Sequence, residues 1–223
     1  MIINSIVHSV SDLVIHQLKA YWTEIDVFSI RKAVPTALQM MDTNFKDINS
    51  SRFQVDGDAR FNPLMSVHWM IFLYRLSSIL FKNGGGGTVA NQVYYLNKIM
   101  HSIDWFYAIE LPVHFLCEHP LGSVLGKATY GDYLLVYQGT TVGGSIRDNV
   151  LCYPKFGENV IMFANSSVIG KCQLGNNIIL SAGTKVVNQN IPSNTIVFGE
   201  SPNLIIKSRD EAIIKSSIEE YWR

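Results

Sequence analysis

The sequence has no excess of charge, because its 18 basic and 18 acidic residues cancel. A neutral chain gives no electrostatic reason to expect nucleic acid or an anionic membrane surface as a partner. The sequence also lacks a long apolar run, since its most apolar window, residues 69–81, is too short to span a bilayer and contains Arg75. We therefore predict neither a nucleic-acid partner nor a membrane partner.

Cysteine is scarce as well. The three cysteines, Cys117, Cys152 and Cys172, show no CxxC spacing, and their odd number argues against a disulfide framework. The N-terminal residues include Ser, His and Asp where a secretion signal needs a continuous apolar stretch. These absences predict reduced thiols and a cytoplasmic location.

The first half of the chain has helical periodicity. Up to about residue 107, apolar residues recur at spacings of three and four in three segments, 6–18, 64–81 and 93–106. The run KNGGGG, residues 82–87, predicts a turn between the last two, because four glycines cannot hold a regular element. We therefore expect an α-helical N-terminal domain over residues 1–107.

From Val124 the apolar period changes to six, which fits neither a helix nor an isolated strand. Two runs carry this period, and in each run an apolar position is followed four places later by a second inward position. In the first run the apolar positions are Val124, Tyr130, Val136 and Val142, and the second positions are Ala128, Leu134 and Thr140. In the second run the apolar positions are Phe156, Met162, Val168, Leu174, Leu180 and Val186, and the second positions are Val160, Ser166, Cys172, Ile178, Thr184 and Asn190. Gly131, Gly157 and Gly175 directly follow apolar positions, where a tight corner leaves little room for a side chain. The pattern predicts a parallel β-helix with one flat face per hexad.

The β-helix is expected over residues 108–207, with one extruded loop. The spacing of fourteen between Val142 and Phe156 is two hexads plus two residues, so the loop is expected there. The last segment, SRDEAIIKSSIEEYWR, predicts a short helix over residues 208–223 that serves packing or a trimer contact.

Three segments stand out between roughly residues 52 and 206: DGDARFNPLMSVHWMIFLYRL, EHPLGSVLGKATYGDYLLVYQGTTVGG and SPNLII. Together they resemble the serine acetyltransferases, hexapeptide-repeat acyltransferases with a left-handed β-helix. DGDARFNPLMSVHWMIFLYRL is similar to the family's Asp-Pro-Ala-Ala-Arg segment and Tyr-Arg helix. EHPLGSVLGKATYGDYLLVYQGTTVGG is similar to its Asp-His motif and Gly-Gly turn, and SPNLII is similar to its closing segment. The resemblance implies an α+β fold, an acetyl-CoA co-substrate, a small acceptor with a hydroxyl group, and a homotrimer, with pairing into a hexamer left open.

The resemblance makes His119 the candidate general base, because EHP matches the Asp-His motif. A neutral imidazole can take the proton of an attacking hydroxyl near pH 7. In the family, an aspartate fifteen residues before the histidine orients its ring. Here the segment IELP matches the segment of that aspartate and suggests Glu110, which stands only nine residues before His119. The difference of six residues would mean that one face of the β-helix is missing. Glu118 is expected near the hydroxyl and amine of the acceptor. Asp56, with Asp58 as its alternative, is expected to reach the same site.

The extruded segment SIRDNVLCYPKFG is similar to the family's active-site loop, in which Arg-His-Pro-Lys grips the carboxylate of the amino acid. Cys152 and Tyr153 occupy the Arg and His places, whereas Pro154 and Lys155 remain. A guanidinium is the natural partner of a carboxylate, so Arg147 or Lys155 would have to replace the missing arginine. Tyr153 could equally stack against a sugar.

Coenzyme A is expected in the groove between neighbouring β-helices, against backbone amides at small-residue corners. The resemblance suggests six lining residues: Gly143, Gly144, Ala164, Ala182, Gly183 and Thr184. The fold would need small residues at such corners even without a ligand.

The leading hypothesis is an acetyl-CoA-dependent O-acetyltransferase with serine as its acceptor. A sugar hydroxyl is the first alternative, and a non-enzymatic β-helix scaffold is the second, since a coil alone does not specify chemistry. A carbonic-anhydrase-like zinc site would need three histidines on adjacent coils. No histidine follows His119, so we predict no metal.

Overall fold

The computed structural model describes residues 2–84 and 86–222. These residues contain the α-helices α1 (Ile2–Lys19), α2 (Val27–Lys46), α3 (Ser66–Lys82), α4 (Gly86–His101) and α5 (Glu211–Glu219). Helices α1 to α4 form the N-terminal part, and α5 follows a β-solenoid.

Helix α3 is the centre of the helical part, and most of its side chains are buried. It packs against both α2 and α4. Two faces of α3 are therefore covered by other helices. For this reason the apolar residues of 69–81 are spread around the helix instead of forming one narrow stripe. The expected turn of glycines is shorter than predicted, since Gly86 and Gly87 already belong to α4 and Gly85 lies outside the described residues.

The solenoid is a stack of coils with three faces, preceded by a small hairpin of β1 (Gln54–Val55) and β2 (Asp58–Ala59). Face A holds parallel strands and one antiparallel edge strand: β4 (Phe115–Glu118), β6 (Leu134–Tyr137), β10 (Val160–Met162), β12 (Ile178–Leu180), β14 (Thr195–Phe198) and the antiparallel β15 (Ile205–Ser208). Face B holds five parallel strands: β3 (Asp104–Trp105), β5 (Val124–Leu125), β7 (Thr141–Gly143), β11 (Ser167–Ile169) and β13 (Lys185–Val187). Face C is joined by isolated bridges, including Thr129 to Lys155 and Lys155 to Gln173.

The extruded loop is an antiparallel hairpin of β8 (Ser145–Arg147) and β9 (Val150–Cys152). Its two turn residues, Asp148 and Asn149, both have positive φ, of 51° and 61°. This is the backbone that a two-residue type I′ turn requires, and it suits the twist of the flanking strands. The loop expected between Val142 and Phe156 is therefore an ordered hairpin at the edge of face B.

The inward positions of the solenoid follow the predicted hexads with two exceptions. All six apolar positions of the second run are buried. Val124 is 40% exposed, because β5 aligns Leu125 rather than Val124 with the buried Val142. Asn190 is exposed too, since the last coil is one residue shorter and turns Ile191 inward instead. The predictions for Val124 and Asn190 are wrong by one residue, while the period itself is confirmed.

Small residues stack at the corner between faces C and A. A Cβ on Gly131 would lie 2.2 Å from the backbone oxygen of Gly157, and one on Gly157 would lie 2.5 Å from that of Gly175. The predicted exclusion of side chains is therefore confirmed. Just beyond this corner, Asn159 and Asn177 adopt positive φ, and the amide of Asn159 donates to that of Asn177 at 3.0 Å. The coils are thus linked by side chains as well as by strands.

Buried polar side chains fix the helical part to the first coils. The side-chain amide of Asn44 donates to the carbonyl of Phe115 at 2.7 Å and accepts from its N–H at 2.9 Å, which completes the edge of β4. The guanidinium of Arg75 donates to the backbone carbonyls of residues 111–113. The segment that leads into β4 is therefore held firmly against α2 and α3.

The chain returns to the helical part after its last coil. Helix α5 begins at the N-cap Asp210, later than the predicted 208–223, because Ser208 still belongs to β15. Beyond α5, Trp222 forms an antiparallel bridge with Ile48. The predicted fold class, helices followed by a parallel solenoid of hexads and a C-terminal helix, is confirmed. Strand β3 places the first residues of the solenoid before residue 108.

Candidate functional site

A pocket of 350 Å³ opens where the helical part, the first coil and the C-terminal segment meet. We term it the His119 pocket. Its lining comes from three separate parts of the chain: Ile48, Asn49, Ser50, Arg52, Leu116, Glu118, His119, Tyr137, Glu220 and Tyr221. Two of the predicted catalytic residues, Glu118 and His119, therefore lie in one pocket.

His119 directly follows β4, at the corner between faces A and B. Its side chain is exposed, and its φ of 48° lies in the left-handed region, which is uncommon for a residue with a side chain. The first corner also contains Gly122, with a φ of 70°, and the hydrogen bonds between coils align Gly122, not His119, with Gly139, Asn165 and Gly183 at the later corners. The positive φ of His119 therefore has no counterpart at the described later corners of this edge.

The corners between faces A and B form a continuous column. Backbone hydrogen bonds of 2.8 to 2.9 Å link successive coils, from Leu121 through Gly139 and Asn165 to Gly183. His119 lies at the first corner of this column. A ligand that follows the column would therefore have one end at the His119 pocket.

The predicted coenzyme A residues fall on both edges of face B. Three belong to the corner column: Ala164, Ala182 and Gly183. Two lie at the opposite edge, beside the hairpin: Gly143 and Gly144. Thr184 is buried, and its hydroxyl donates to the carbonyl of Val197 at 3.0 Å. Its N–H donates to the carbonyl of Ser181 and its carbonyl accepts from the N–H of Ser167, so Thr184 serves the interior and the stacking of the coils.

Glu118 is paired with an arginine that the sequence analysis did not single out. A guanidinium nitrogen of Arg52 donates to the Glu118 carboxylate. Arg52 lies on the turn Ser50–Phe53, and Phe53 is buried with its ring edge-on to Phe45 at 5.0 Å. The side chain of Arg52 is 50% exposed and that of Glu118 only 13%. The buried phenylalanine thus fixes the turn that presents the guanidinium at the pocket.

The C-terminal segment closes one side of the His119 pocket. The N–H of Asn49 donates to the carbonyl of Tyr221 at 2.9 Å, and Trp222 packs edge-on against Tyr133 at 5.3 Å. Burial, and then hydrogen bonding with Tyr221, raises the pKa of the Tyr137 phenol, so it stays protonated at neutral pH. The expected helix α5 does pack, but the residues after it line the pocket. No spacing in the sequence could reveal a contribution from so distant a segment.

Glu110, the expected orienting carboxylate, does not line the His119 pocket. It forms an ion pair with Lys82 at 2.9 Å, its side chain is 77% exposed, and the hydrogen bond from Lys82 lowers its pKa. Asp104 stands fifteen residues before His119, at the spacing that the resemblance implies. Its N–H donates to the carbonyl of Ser123 at 2.9 Å, on the coil that carries His119. No face of the first coil is lost, because β3 occupies it.

Asp104 is held by two donors from α4. Its carboxylate accepts from the Tyr94 hydroxyl at 2.5 Å and from the Lys98 ammonium at 2.6 Å. Burial raises the pKa of Asp104, but the hydrogen bonds from Lys98 and Tyr94 outweigh burial and lower it overall. The carboxylate is therefore ionised at neutral pH. The spacing of fifteen residues before His119 identifies Asp104 in the sequence. The aromatic residues 105–107 hide the six-residue period there, so the sequence pattern alone does not show that Asp104 belongs to the first coil.

Three further predicted substrate residues do not line the His119 pocket. Asp56 occupies the exposed turn between β1 and β2, with a φ of 53°. Arg147 lines a separate groove of 630 Å³ beside the hairpin, 4.0 Å from the carboxylate of Asp148. Lys155 is exposed on face C. The hairpin follows β7 whereas His119 precedes β5, so the width of face B separates the two.

Tyr153 is partly buried at the base of the hairpin. A Cβ on Gly144 would lie 2.9 Å from its ring, so the missing side chain makes room for the tyrosine. The ammonium of Lys127 lies 5.3 Å from the ring centre, within the range of a cation–π contact. Tyr153 therefore already has partners from its own chain.

The side chains outside the His119 pocket form no metal site in the part of the chain that the structure describes. Within residues 2–84 and 86–222, no group of three or more His, Cys, Asp or Glu side chains could hold a metal ion. Burial raises the pKa of the Cys117 and Cys172 thiols, which makes them unreactive. None of the described helices combines the length and apolar character that crossing a bilayer requires.

Comparison with known proteins relates this geometry to one group. The chain is 30% identical to the serine acetyltransferase of Staphylococcus epidermidis over 128 residues, which are 57% of this chain and 59% of that relative. The solved serine acetyltransferase of Neisseria gonorrhoeae superposes with a TM-score of 0.72 at 22% identity, over 92% of this chain and 82% of that chain. The fold is that of the serine acetyltransferases. A serine acetyltransferase solved in complex with CoA shares it, with a TM-score of 0.66 at 18% identity over 88% and 82% of the two chains. No protein-family model matches.

The resemblance of this chain to serine acetyltransferases is thus confirmed in sequence and in fold. The chain spans 59% of the Staphylococcus relative's length in this match.

Proposed function

We propose that this protein transfers the acetyl group of acetyl-CoA to the hydroxyl group of serine. The observation that carries the proposal is the His119 pocket, in which an imidazole, a carboxylate and a guanidinium line one cavity at the edge of the solenoid. Its volume of 350 Å³ suits a small ligand. The relatives and structural neighbours named serine acetyltransferase support both the reaction and the acceptor.

His119 is the general base of the proposed reaction. As the serine oxygen bonds to the thioester carbon, its proton passes to the neutral imidazole. The C–S bond then breaks, and the CoA sulfur leaves with that proton to give the free thiol. We assign the orienting carboxylate to Asp104 rather than to Glu110, because the backbone of Asp104 is bonded to the coil that carries His119, whereas the side chain of Glu110 is 77% exposed.

Acetyl-CoA is expected to lie along the corner column that begins at His119. Ala182 and Gly183 are exposed there, and Ala164 is partly exposed, so a ligand could approach their backbone closely. The column has small or short side chains at these corners, which leaves room for an extended ligand. The neighbour solved with CoA supports a coenzyme site in this fold.

A homotrimer would join the two separated parts of the site. We propose that the hairpin of one subunit reaches the His119 pocket of the next, so that Arg147 and its neighbours approach the acceptor across the interface. Ile146 and Leu151 form a cross-strand pair on the hairpin and are 75% and 52% exposed. Such an exposed apolar pair supports burial of the hairpin in a subunit contact.

Turnover of acetyl-CoA, followed by release of free thiol, tests the proposed function. The acceptors are serine, homoserine and a panel of sugars, and we expect serine to react fastest. Loss of turnover in His119→Ala, with an unchanged thermal unfolding curve, would support the assigned base. A protein that turns over none of these acceptors and does not bind acetyl-CoA would instead be the non-enzymatic scaffold.

A sugar acceptor is the second candidate, favoured by Tyr153 in the place of the loop histidine. The contacts of Tyr153 with Gly144 and Lys127 leave less of its ring free to stack on a sugar. Serine therefore ranks first. Faster turnover with any sugar than with serine would reverse this order.

A further inference from the structure

An amino-acid acceptor brings a carboxylate that needs a positive partner, because an unpaired charge in a partly dry site costs several kcal/mol. The hairpin has Cys152 where the resemblance implies an arginine. Arg147 and Lys155 do not line the His119 pocket of their own protomer. Among the described residues that do line it, Arg52 is the one permanent cation.

The guanidinium of Arg52 has donors to spare for a ligand. One of its five N–H donors meets Glu118, and the described part of the chain supplies no other hydrogen-bond acceptor for the side chain. With 50% of the side chain exposed, the rest of the planar fork is accessible. Such a fork binds a carboxylate through two parallel hydrogen bonds, with a geometry that a lysine cannot match.

The pair of Arg52 and Glu118 presents opposite charges side by side in the pocket. A free amino acid carries an ammonium and a carboxylate on one carbon, so the ammonium can face Glu118 while the carboxylate faces Arg52. Glu118 and His119 are consecutive residues lining the same pocket. The hydroxyl of serine, one carbon from the charged centre, would then lie towards the imidazole.

We propose that Arg52 is the specificity-determining residue that binds the α-carboxylate of the acceptor, and that the Arg52–Glu118 pair selects a free hydroxy amino acid. This inference rests on the proposed function of the same pocket. The turn Ser50–Phe53 positions Arg52 in advance, because Phe53 is buried and Asn49 is bonded to Tyr221. Little side-chain freedom is therefore lost when the carboxylate binds.

The experiment compares serine with serinamide, which keeps the hydroxyl and the amine but has no carboxylate. Steady-state kinetics are measured on the full chain as wild type, Arg52→Gln and Arg52→Lys. We expect Arg52→Gln to raise the KM for serine at least about tenfold, the equivalent of about 1.4 kcal/mol. Its kcat and its KM for acetyl-CoA should stay near wild type. With serinamide, the KM of Arg52→Gln should equal that of wild type. With serine, the KM of Arg52→Lys should lie between those of wild type and Arg52→Gln.

Arg60→Gln is the matched control, since Arg60 is an exposed arginine on the same segment that does not line the pocket. It should leave the KM for serine unchanged. Calorimetric titration of serine into wild type and Arg52→Gln supplies a readout without turnover, and we expect at least about tenfold weaker binding in the variant.

Three outcomes would overturn the assignment of Arg52. Equal losses with serine and serinamide would show that Arg52 only maintains the fold. An unchanged KM for serine in Arg52→Gln would place the carboxylate elsewhere, and Arg147→Ala and Lys155→Ala would then be expected to raise it. Wild type that neither binds nor acetylates serine would refute the proposed acceptor together with the role of Arg52, whereas the first two outcomes leave the proposed function intact.

Discussion

Replacing Asp104 with asparagine removes one charge, keeps the shape of the side chain, and so tests which carboxylate supports His119. Strands β3 and β5 are neighbours on face B, and neighbouring strands lie about 4.8 Å apart. For the estimate we take a separation of roughly 6 Å, a little more than one strand spacing, between the Asp104 carboxylate and an imidazolium at His119. At an effective dielectric constant of about 20, two unit charges at that distance interact by about 3 kcal/mol, which corresponds to about a hundredfold in rate.

We therefore expect Asp104→Asn to lower kcat about a hundredfold, measured by thiol release at saturating acetyl-CoA and serine. Glu110→Gln is the matched control and should stay within about threefold of wild type. Its side chain is 77% exposed, and an exposed ion pair contributes less than about 1 kcal/mol to stability. Lys98 and Tyr94 also lose a partner in Asp104→Asn, so thermal unfolding of both variants must show that lost activity is not lost folding.

The opposite ranking would refute this reasoning. If Glu110→Gln lost a hundredfold and Asp104→Asn did not, the alignment on IELP would be right and the assignment of Asp104 wrong. Small effects in both variants would mean that His119 works without a carboxylate from its own protomer. Lys98→Met separates the two roles of Asp104, because it removes the ion pair at 2.6 Å and keeps the carboxylate; it should retain most of the activity.

Four further outcomes are expected. His119→Ala should lower turnover by about two to four orders of magnitude with an unchanged circular dichroism spectrum; activity within a fewfold of wild type would remove His119 from the mechanism. Light scattering at micromolar concentration should give the mass of a trimer or of a multiple of it, and a fully active monomer would contradict the shared site. Asn44→Leu leaves the N–H and carbonyl of Phe115 unpaired and should lower the free energy of unfolding in urea by about 2 to 5 kcal/mol. Burial lowers the pKa of His68 and His101 to about 4, against about 6.5 in the unfolded chain. Their contribution to stability is therefore complete above pH 6.5 and lost as the pH falls towards 4, and equal unfolding free energies at about pH 7 and pH 5 would refute this.

The sequence pattern predicted the solenoid because a hexad is a local property. Each face repeats the same inward and corner positions, so residues such as Met162 and Gly157 reveal their roles through spacing alone. The pattern gave wrong inward positions at Val124 and Asn190, where a coil is one residue shorter than three hexads. A fixed period of six cannot predict at which corner a residue is missing. Asp104 was missed for a related reason: bulky aromatic residues fill the first coil.

The His119 pocket could be predicted only in part. Glu118 and His119 belong to one short motif, and a motif can be matched along the sequence. Arg52 and Tyr221 reach the pocket through tertiary packing, on a turn after α2 and on a segment after α5. Neither stands at a distance from His119 that any repeat or motif specifies, so only the structure brings them together.

The contact between residues 48–49 and the segment after α5 has a consequence for the order in which the protein matures. Asn49 and Glu220 are hydrogen-bonded across a sequence separation of 171 residues, and contacts so distant form late because loop closure must precede them. During synthesis, the helices and the first coil can fold before residues 220–222 leave the ribosome. The chain would then be largely folded while one wall of the His119 pocket is still missing. Newly made protein should thus acquire its solenoid first and its acceptor binding last, and changes that loosen α5 should delay the second step without slowing the first.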